Sequence, residues 1–210
     1  MMDDVTRGIL RREGDALSRP LFDGIETAMA QSSDSLKQLP PRDYPHVFAG
    51  ARRAFFRESL LQMGLPDGWM VRGNPRMNGQ IVLAHEDLGI TLRVLSESRV
   101  TANGVPHAGH TSARRDAWTV VQPTLFAMPT SIRADRRLLL LGRFDLLEPS
   151  LRIVRPISPG KYQGNVPCDY GLVLRPAAQS WDDRSFAGSD EHEDLFNVNI
   201  SKEEDGSAND

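Results

Sequence analysis

Two pairs of strand-like runs constrain the fold of this chain most strongly. In the first pair, GQIVLAH (79–85) and GITLRVLSE (89–97) are separated only by Glu-Asp-Leu, and large apolar residues recur at alternate positions: Ile81 and Leu83, then Ile90, Leu92 and Val94. In the second pair, RLLLLGRF (137–144) is followed closely by SLRIVRPIS (150–158). Period-two alternation with short connections is typical of antiparallel strand pairs. The unbroken apolar run 138–141 favours a central strand that a helix covers on at least one side.

One amphipathic helix is indicated over residues 44–63 within DYPHVFAGARRAFFRESLLQMG (43–64), with Asp43 as a candidate N-cap, Pro45 in its first turn and Gly64 just past its end. Six of its apolar residues fall near one stripe at helical spacing: Val47, Phe48, Ala51, Ala54, Phe55 and Leu61. Two further short runs, GWMVRG and YGLVLRP, also read as strands. The fold class predicted is α+β: an antiparallel sheet of about five or six strands with one long helix packed on a face.

The chain divides into three parts by composition. Residues 1–41 contain several glycines, Pro20 and the polar stretch SSDSLKQLPP, which predicts a mobile N-terminal arm and linker. Residues 42–178 are expected to form a single α+β domain. Residues 179–210 form an acidic C-terminal tail, expected to be largely disordered.

Charge is distributed unevenly along the sequence. Residues 42–175 carry eighteen bases and eleven acids, whereas residues 176–210 carry two bases and ten acids. Of the 25 basic residues, 22 are arginine. A GC-rich genome, which favours arginine codons, would explain this bias, and so would bidentate recognition of phosphate or carboxylate, which arginine performs better than lysine.

A basic core with many arginines predicts an anion-binding surface if several of them share one sheet face. The candidates lie on or beside the strands and the short helix expected around SARRDAWTV: Arg72, Arg76, Arg93, Arg114, Arg115, Arg152 and Arg155. The implied partner is acidic, either a nucleic acid or a protein.

The acidic tail also carries apolar residues. Its segment 194–200 alternates apolar and polar side chains, with Asp194, Leu195, Phe196, Val198 and Ile200 as the candidate motif. Such a segment suits addition to a sheet edge or docking on a partner. The tail would therefore either mask the basic core or recruit a partner protein.

The one enzyme class that the sequence allows to be sketched is a metal-dependent nuclease or phosphodiesterase. Glu86 and Asp87 lie in the turn between two strands, and Asp145 lies in a second acidic turn. Carboxylates displayed on a hairpin can hold Mg²⁺, but Arg93 stands where such sites use a lysine. The simpler interpretation is a charged hairpin turn.

No cofactor or metal is predicted. His107 and His110 lie three residues apart in a loop, but no further ligands stand at zinc-site spacing. Cys168 is the single cysteine, so a reducing compartment is expected, and no apolar run approaches the length of a membrane span. The start of the sequence lacks the apolar core of a signal peptide. We expect a cytoplasmic protein that does not enter a membrane, and its oligomeric state is left open.

Several stretches together resemble a family of small arginine-rich actinobacterial proteins: GNPRMNGQIVLAHEDLGITLRVL, ARRDAW, LLLLGRFDLLEPSLRIVRPISPGKY and FAGSDEHEDLF. The resemblance covers residues 42 to about 200. It implies a regulatory or defence setting near helix-turn-helix regulators or ImmA/IrrE-type metallopeptidases, and it assigns no site residues.

Three functions remain open from the sequence. The preferred one is a non-enzymatic regulatory or interaction protein with a basic core and a masking or recruiting tail. The alternatives are the metal-dependent nuclease and a structural subunit of a defence or regulatory complex.

Overall fold

The computed structural model describes residues 2–110, 115, 118, 137–144, 149–161 and 163–176. Two helices, α1 (Asp4–Ser35) and α2 (Pro45–Met63), precede six strands. The strands are β1 (Trp69–Arg72), β2 (Val82–His85), β3 (Ile90–Ser96), β4 (Arg137–Arg143), β5 (Ser150–Pro156) and β6 (Cys168–Leu174). The α+β class is confirmed.

The six strands form one sheet in sequence order. Neighbouring strands are antiparallel except β3 and β4, which are parallel. The two predicted hairpins, β2–β3 and β4–β5, are confirmed, but the expectation of an antiparallel sheet is wrong at its centre. The connection over residues 97–136 is long enough for the crossover that a parallel pair requires.

The prediction of a mobile arm over residues 1–41, and of a single long helix, is wrong. Residues 4–35 form α1, whose N-cap residue Asp3 accepts a hydrogen bond from the backbone N–H of Thr6 at 2.8 Å. Leu10, Leu17 and Leu21 of α1 are fully buried in the same core as α2 and the sheet. The domain therefore includes α1 and does not begin at residue 42.

Two glycines that indicated a linker are packing positions inside α1. A Cβ on Gly14 would lie 2.7 Å from a methyl of Leu172 on β6, and one on Gly24 would lie 3.2 Å from the ring of Phe56 on α2. Glycine lowers helix propensity by about 1 kcal/mol relative to alanine. Here its lack of a side chain lets α1 approach both the sheet and α2.

The helix α2 occurs where it was predicted, with Gly64 at a φ of 77° just past its end. Its buried residues are Phe48, Phe56, Ser59 and Leu60. Leu61, which the predicted stripe included, is exposed. The buried face is thus rotated from the predicted stripe toward α1.

The sheet buries residues on both faces. The helices cover one face, where Leu83, Leu92, Leu140 and Ile153 belong to the main core. On the other face, Leu139, Leu141 and Val154 form a smaller cluster with residues of the loops after β3 and β5. Strand β4 is buried at five consecutive positions, which confirms the prediction of a central strand from the run 138–141.

Candidate functional site

The candidate site lies at one end of the sheet. Because β3, β4 and β6 run in the same direction, their carboxyl ends meet there. Ser96, Gly142, Leu151 and Leu174 are successive cross-strand partners and mark this end, which we call the carboxyl edge. Ligand sites are frequent outside the carboxyl ends of parallel strands, because the chain turns away there and leaves a crevice.

The loop after β3 is ordered by its own hydrogen bonds. The Glu97 N–H donates to the carbonyl oxygen of Gly142 at 3.0 Å, which extends the β3–β4 pairing by one residue. The Ser98 N–H donates to Gly104 O at 2.8 Å, and Thr101 Oγ1 donates to Val105 O at 2.8 Å. The backbone of Glu97 is thereby fixed at the carboxyl edge.

Two arginines share the carboxylate of Glu97. Arg152 Nε donates to Oε1 at 2.5 Å, while Arg143 Nε lies 3.9 Å from Oε2. The second terminal nitrogen of Arg152 donates to the carbonyl oxygen of Asn103 at 2.6 Å. One negative charge between two guanidinium groups leaves a net positive charge at this position.

An apolar cavity of about 300 Å³ opens between α1, α2 and the carboxyl edge. Its apolar wall includes Ile25, Met29, Phe48, Phe56, Val94 and Phe144. Arg52, Arg53 and Arg99 also line it, and Glu97 is the one acid among its described lining residues. Arg52 packs over the Phe48 ring, 6.0 Å from its centroid, and donates to Phe144 O at 3.2 Å.

A second, polar cavity of about 630 Å³ adjoins the first on the other side of Glu97. Arg99, Arg143 and Arg152 line it together with the loop after β3. The two cavities share Glu97 and Arg99. We call the set of five arginines that line them the arginine cluster: Arg52, Arg53, Arg99, Arg143 and Arg152.

The pairing register puts three predicted binding residues on one sheet face, the face opposite the helices. Arg72 and Arg93 are both cross-strand partners of Val82, and Arg152 is the partner of Leu141. Only Arg152 belongs to the arginine cluster. Arg72 is ion-paired with Glu86 at the β1–β2 side of the sheet, and the exposed Arg76 lies in the loop before β2.

Arg155 forms a buried ion pair within the fold. Its exposed fraction is 4%, and its guanidinium engages both carboxylate oxygens of Asp169, with Nε 2.7 Å from Oδ1. This hydrogen-bonded pairing lowers the pKa of Asp169 below its ordinary value, against the opposing effect of burial. Arg155 was predicted to bind a partner. Its side chain is instead buried and paired with Asp169, so it does not belong to an accessible binding surface.

The nuclease alternative finds no assembled site in the described part of the chain. Glu86 and Asp87 lie in the β2–β3 turn as predicted, and Glu86 is paired with Arg72. The neighbouring His85 is buried with its ring edge-on to Trp69, 5.4 Å between centroids. Within the described ranges, no three side chains of metal-binding type come together. Asp145 lies outside those ranges.

The lone cysteine is half-buried and shows no sign of activation. Burial raises the pKa of the Cys168 thiol, and the nearby Asp169 raises it further, while Arg152 opposes the change. Its Sγ lies 3.4 Å from the carbonyl oxygen of Val166 as a weak donor. The thiol is therefore protonated at neutral pH, which disfavours a nucleophilic role.

Several predicted elements lie outside the described residues. They are Arg114, most of the short helix expected around SARRDAWTV, and the tail motif of Asp194, Leu195, Phe196, Val198 and Ile200. Arg115 is described only as a single helical position.

The binding residues predicted from the sequence include only Arg152 of the arginine cluster, and they do not include the acid at its centre. Arg52, Arg53, Arg99, Arg143 and Glu97 come from α2, the end of β4 and the loop after β3. Their spacing in the sequence carries no common signal. Only the parallel pairing of β3 with β4 brings the ends of these elements together.

The chain matches no known family model, no curated protein and no solved structure. The resemblance to arginine-rich actinobacterial proteins therefore stays a prediction. In the part of the chain that the structure describes, neither helix has the length and apolar character needed to cross a membrane.

Proposed function

We propose that this chain is a non-enzymatic regulatory or interaction protein whose basic core binds an acidic partner. The observation that supports this most is the arginine cluster: five guanidinium groups line two adjoining cavities with one carboxylate between them. Guanidinium groups present several donors in a rigid plane that matches carboxylate and phosphate oxygens. A partner that brings acidic groups to the carboxyl edge would relieve the repulsion among the five arginines.

The apolar cavity favours an acidic protein segment over a nucleic acid as the partner. Nucleic acids bind basic surfaces mainly through phosphates, and single strands add base stacking on exposed aromatic rings. Here Phe48 and Phe56 are buried in the cavity wall, where they form an apolar recess next to the arginines. An acidic peptide that carries apolar side chains would satisfy both the charge and the recess.

The test is a binding survey by fluorescence anisotropy on the full chain. Labelled duplex DNA, single-stranded RNA and poly-glutamate are titrated at low and at physiological salt. Binding that weakens steeply with salt is expected for at least one of them, because released counterions drive such association. Poly-glutamate is expected to bind at low salt. The absence of binding to all three at low salt would contradict the proposal.

A second arm compares the full chain with a chain ending at residue 178, which retains every described residue. Residues 177–210 carry ten acids and two bases. If this tail masks the basic core, the shorter chain binds the same probes more tightly. Equal affinities would favour the other role of the tail, the recruitment of a separate partner.

The two alternatives have distinct signatures. Magnesium-dependent cleavage of labelled DNA or RNA that is lost in Glu86→Ala would replace the binding proposal with the nuclease. A protein that co-purifies in a fixed ratio would favour a structural subunit of a larger complex. A cytoplasmic setting and a regulatory or defence context are parts of the same proposal, supported by the single protonated thiol and by the sequence resemblance.

A further inference from the structure

We propose that the apolar cavity is the docking site of this chain's own segment 194–200, with the side chains of Leu195 and Phe196 inside it. This inference rests on the proposed function, because it identifies the chain's own segment as an acidic ligand of the arginine cluster. Four observations lead to it: the wall of the cavity, the place where the described chain ends, the distance to be covered, and the match of charge.

The cavity combines an apolar interior with a basic rim. Phe48, Phe56 and Phe144 form its aromatic wall, and the ring centroids of Phe56 and Phe144 are 6.2 Å apart. Arg52 and Arg53 line it from α2, and Arg99 lines it from the loop after β3. Its volume of about 300 Å³ is at the lower end of the range for binding pockets. The fitting ligand therefore has one or two large apolar side chains next to negative charge.

The described chain ends on the same edge of the sheet as the cavity. Leu174, the last residue of β6, is in register with Leu151, Gly142 and Ser96, and Ser96 lines the cavity. Three strand spacings separate β6 from β3, which is about 14 Å. The tail thus begins beside its proposed site.

Helix α1 gives a second, independent measure of this distance. Ser18 of α1 donates a hydrogen bond to the carbonyl oxygen of Arg175, so the start of the tail is held against this helix. Ile25 and Met29 of the same helix line the cavity. Seven to eleven residues of helix correspond to about 10–16 Å, which agrees with the distance across the strands.

The intervening chain is long enough to make this connection. Eighteen residues, 177–194, separate the last described residue, Pro176, from Leu195. An extended chain spans about 3.3 Å per residue, or roughly 60 Å over this stretch. The segment can therefore reach the cavity from either direction without strain.

Charge identifies the segment within the tail. Four of the five residues 190–194 are acidic, and Leu195 and Phe196 follow them directly. By contrast, Arg184 stands two residues before Phe186, and the basic rim would repel its positive charge. The order of acids and then two large apolar residues matches a basic rim around an apolar recess.

The test uses a labelled synthetic peptide of residues 189–202 and full-length variants. Leu195→Ala/Phe196→Ala weakens the chain's own segment, so this chain is expected to bind the peptide saturably. The wild-type chain is expected to bind it at least tenfold more weakly, because a tethered segment competes at an effective concentration in the millimolar range. Absence of saturable binding to the double variant would overturn the inference.

Two alanines of α2 provide a matched pair for locating the site. Ala49 and Ala54 are both exposed, but only Ala49 is among the residues that line the cavity. Added to the double variant, Ala49→Trp should reduce peptide binding at least tenfold, whereas Ala54→Trp should leave it within twofold. Equal effects of the two substitutions would overturn the cavity as the docking site.

The outcomes separate this inference from the proposed function. If DNA, RNA or poly-glutamate binds with steep salt dependence but Ala49→Trp does not change the affinity for the peptide, the proposed function stands and the docking site is rejected. If no probe and no peptide binds, both are rejected. A wild-type chain that forms dimers which Phe196→Ala dissociates would place the segment in a second copy and overturn the intramolecular arrangement.

Discussion

Arg152 and Glu97 join β5 to the end of β3 across the intervening strand β4. Arg152 Nε donates to Glu97 Oε1 at 2.5 Å, and the same guanidinium donates to Asn103 O at 2.6 Å. Arg152 therefore holds both the first residue of the loop after β3 and a residue further along it. The parallel pairing of β3 and β4 makes this bridge possible, because it brings the end of β3 level with β5.

Removing the charge of Glu97 is expected to strengthen the binding of polyanions. Glu97→Gln keeps an oxygen acceptor for Arg152 but removes the one negative charge among the described lining residues of both cavities. Affinity for poly-glutamate should rise about threefold to tenfold at low salt, corresponding to about 1 kcal/mol. Glu58→Gln, on an exposed acid of α2, is the charge-matched control. Equal gains in the two variants would show that net charge alone controls binding.

Breaking the Arg155–Asp169 pair is expected to destabilise the fold. Asp169→Asn removes the carboxylate charge that pairs with the buried guanidinium of Arg155, which lowers the free energy of unfolding by about 3 kcal/mol at pH 7. Asp23→Asn, on an exposed acid of α1, should change it by less than about 0.5 kcal/mol. Urea unfolding of both variants measures the difference.

The same pair predicts a pH dependence with a definite sign. The pKa of Asp169 is lowered in the folded state, so the ionised carboxylate stabilises the fold above the ordinary carboxyl pKa, and this contribution is lost as the pH falls through the lower folded value. The gap in unfolding free energy between wild type and Asp169→Asn should therefore shrink below about pH 4. A gap that stays constant from pH 7 to pH 3 would contradict this assignment.

Two glycines of α1 are expected to respond oppositely to alanine. Gly8 is exposed and a Cβ there would meet no atom within 4 Å, so Gly8→Ala should stabilise the protein by about 0.5–1 kcal/mol through helix propensity. A Cβ on Gly14 would lie 2.7 Å and 3.1 Å from methyls of Leu172 and Leu174. Gly14→Ala should therefore destabilise it by about 1 kcal/mol after the propensity gain. Similar stabilisation in both variants would contradict the close packing of α1 on β6.

Cys168 is expected to react slowly with alkylating reagents. Burial raises its pKa and limits access, so alkylation by iodoacetamide at pH 8 should be at least about tenfold slower than that of glutathione. In urea the rate should approach that of glutathione. A native rate equal to that of glutathione would show that the site around β6 is open.

Local patterns predicted the strands and α2 well. Short connections made the β2–β3 and β4–β5 hairpins readable, and the unbroken apolar run on β4 indicated its burial on both faces. The pairing of β3 with β4 could not be predicted from the sequence. Residues 97–136 separate these strands in the chain, and no local sequence pattern indicates which strands become neighbours. The expected antiparallel sheet was the simplest extension of two hairpins.

The full length of helix α1 was not predicted, because its glycines and Pro20 lower helix propensity. Packing compensates for that cost, since Gly14 and Gly24 allow contacts with β6 and α2 that larger residues would prevent. The arginine cluster was missed for a topological reason. Arg53 on α2 and Arg143 at the end of β4 become neighbours of the same cavities only after the central parallel pair forms.

Charge reversal within the arginine cluster tests whether acidic partners bind at the carboxyl edge. Arg143 has a half-exposed side chain at the polar cavity, whereas Arg19 is exposed on α1 and lines neither cavity. Arg143→Glu and Arg19→Glu change the net charge equally. Anisotropy titrations of the two full-length variants with labelled poly-glutamate, at low salt, compare the positions. We expect at least a tenfold loss of affinity for Arg143→Glu and less than a threefold loss for Arg19→Glu. Equal losses would contradict a binding site at the carboxyl edge.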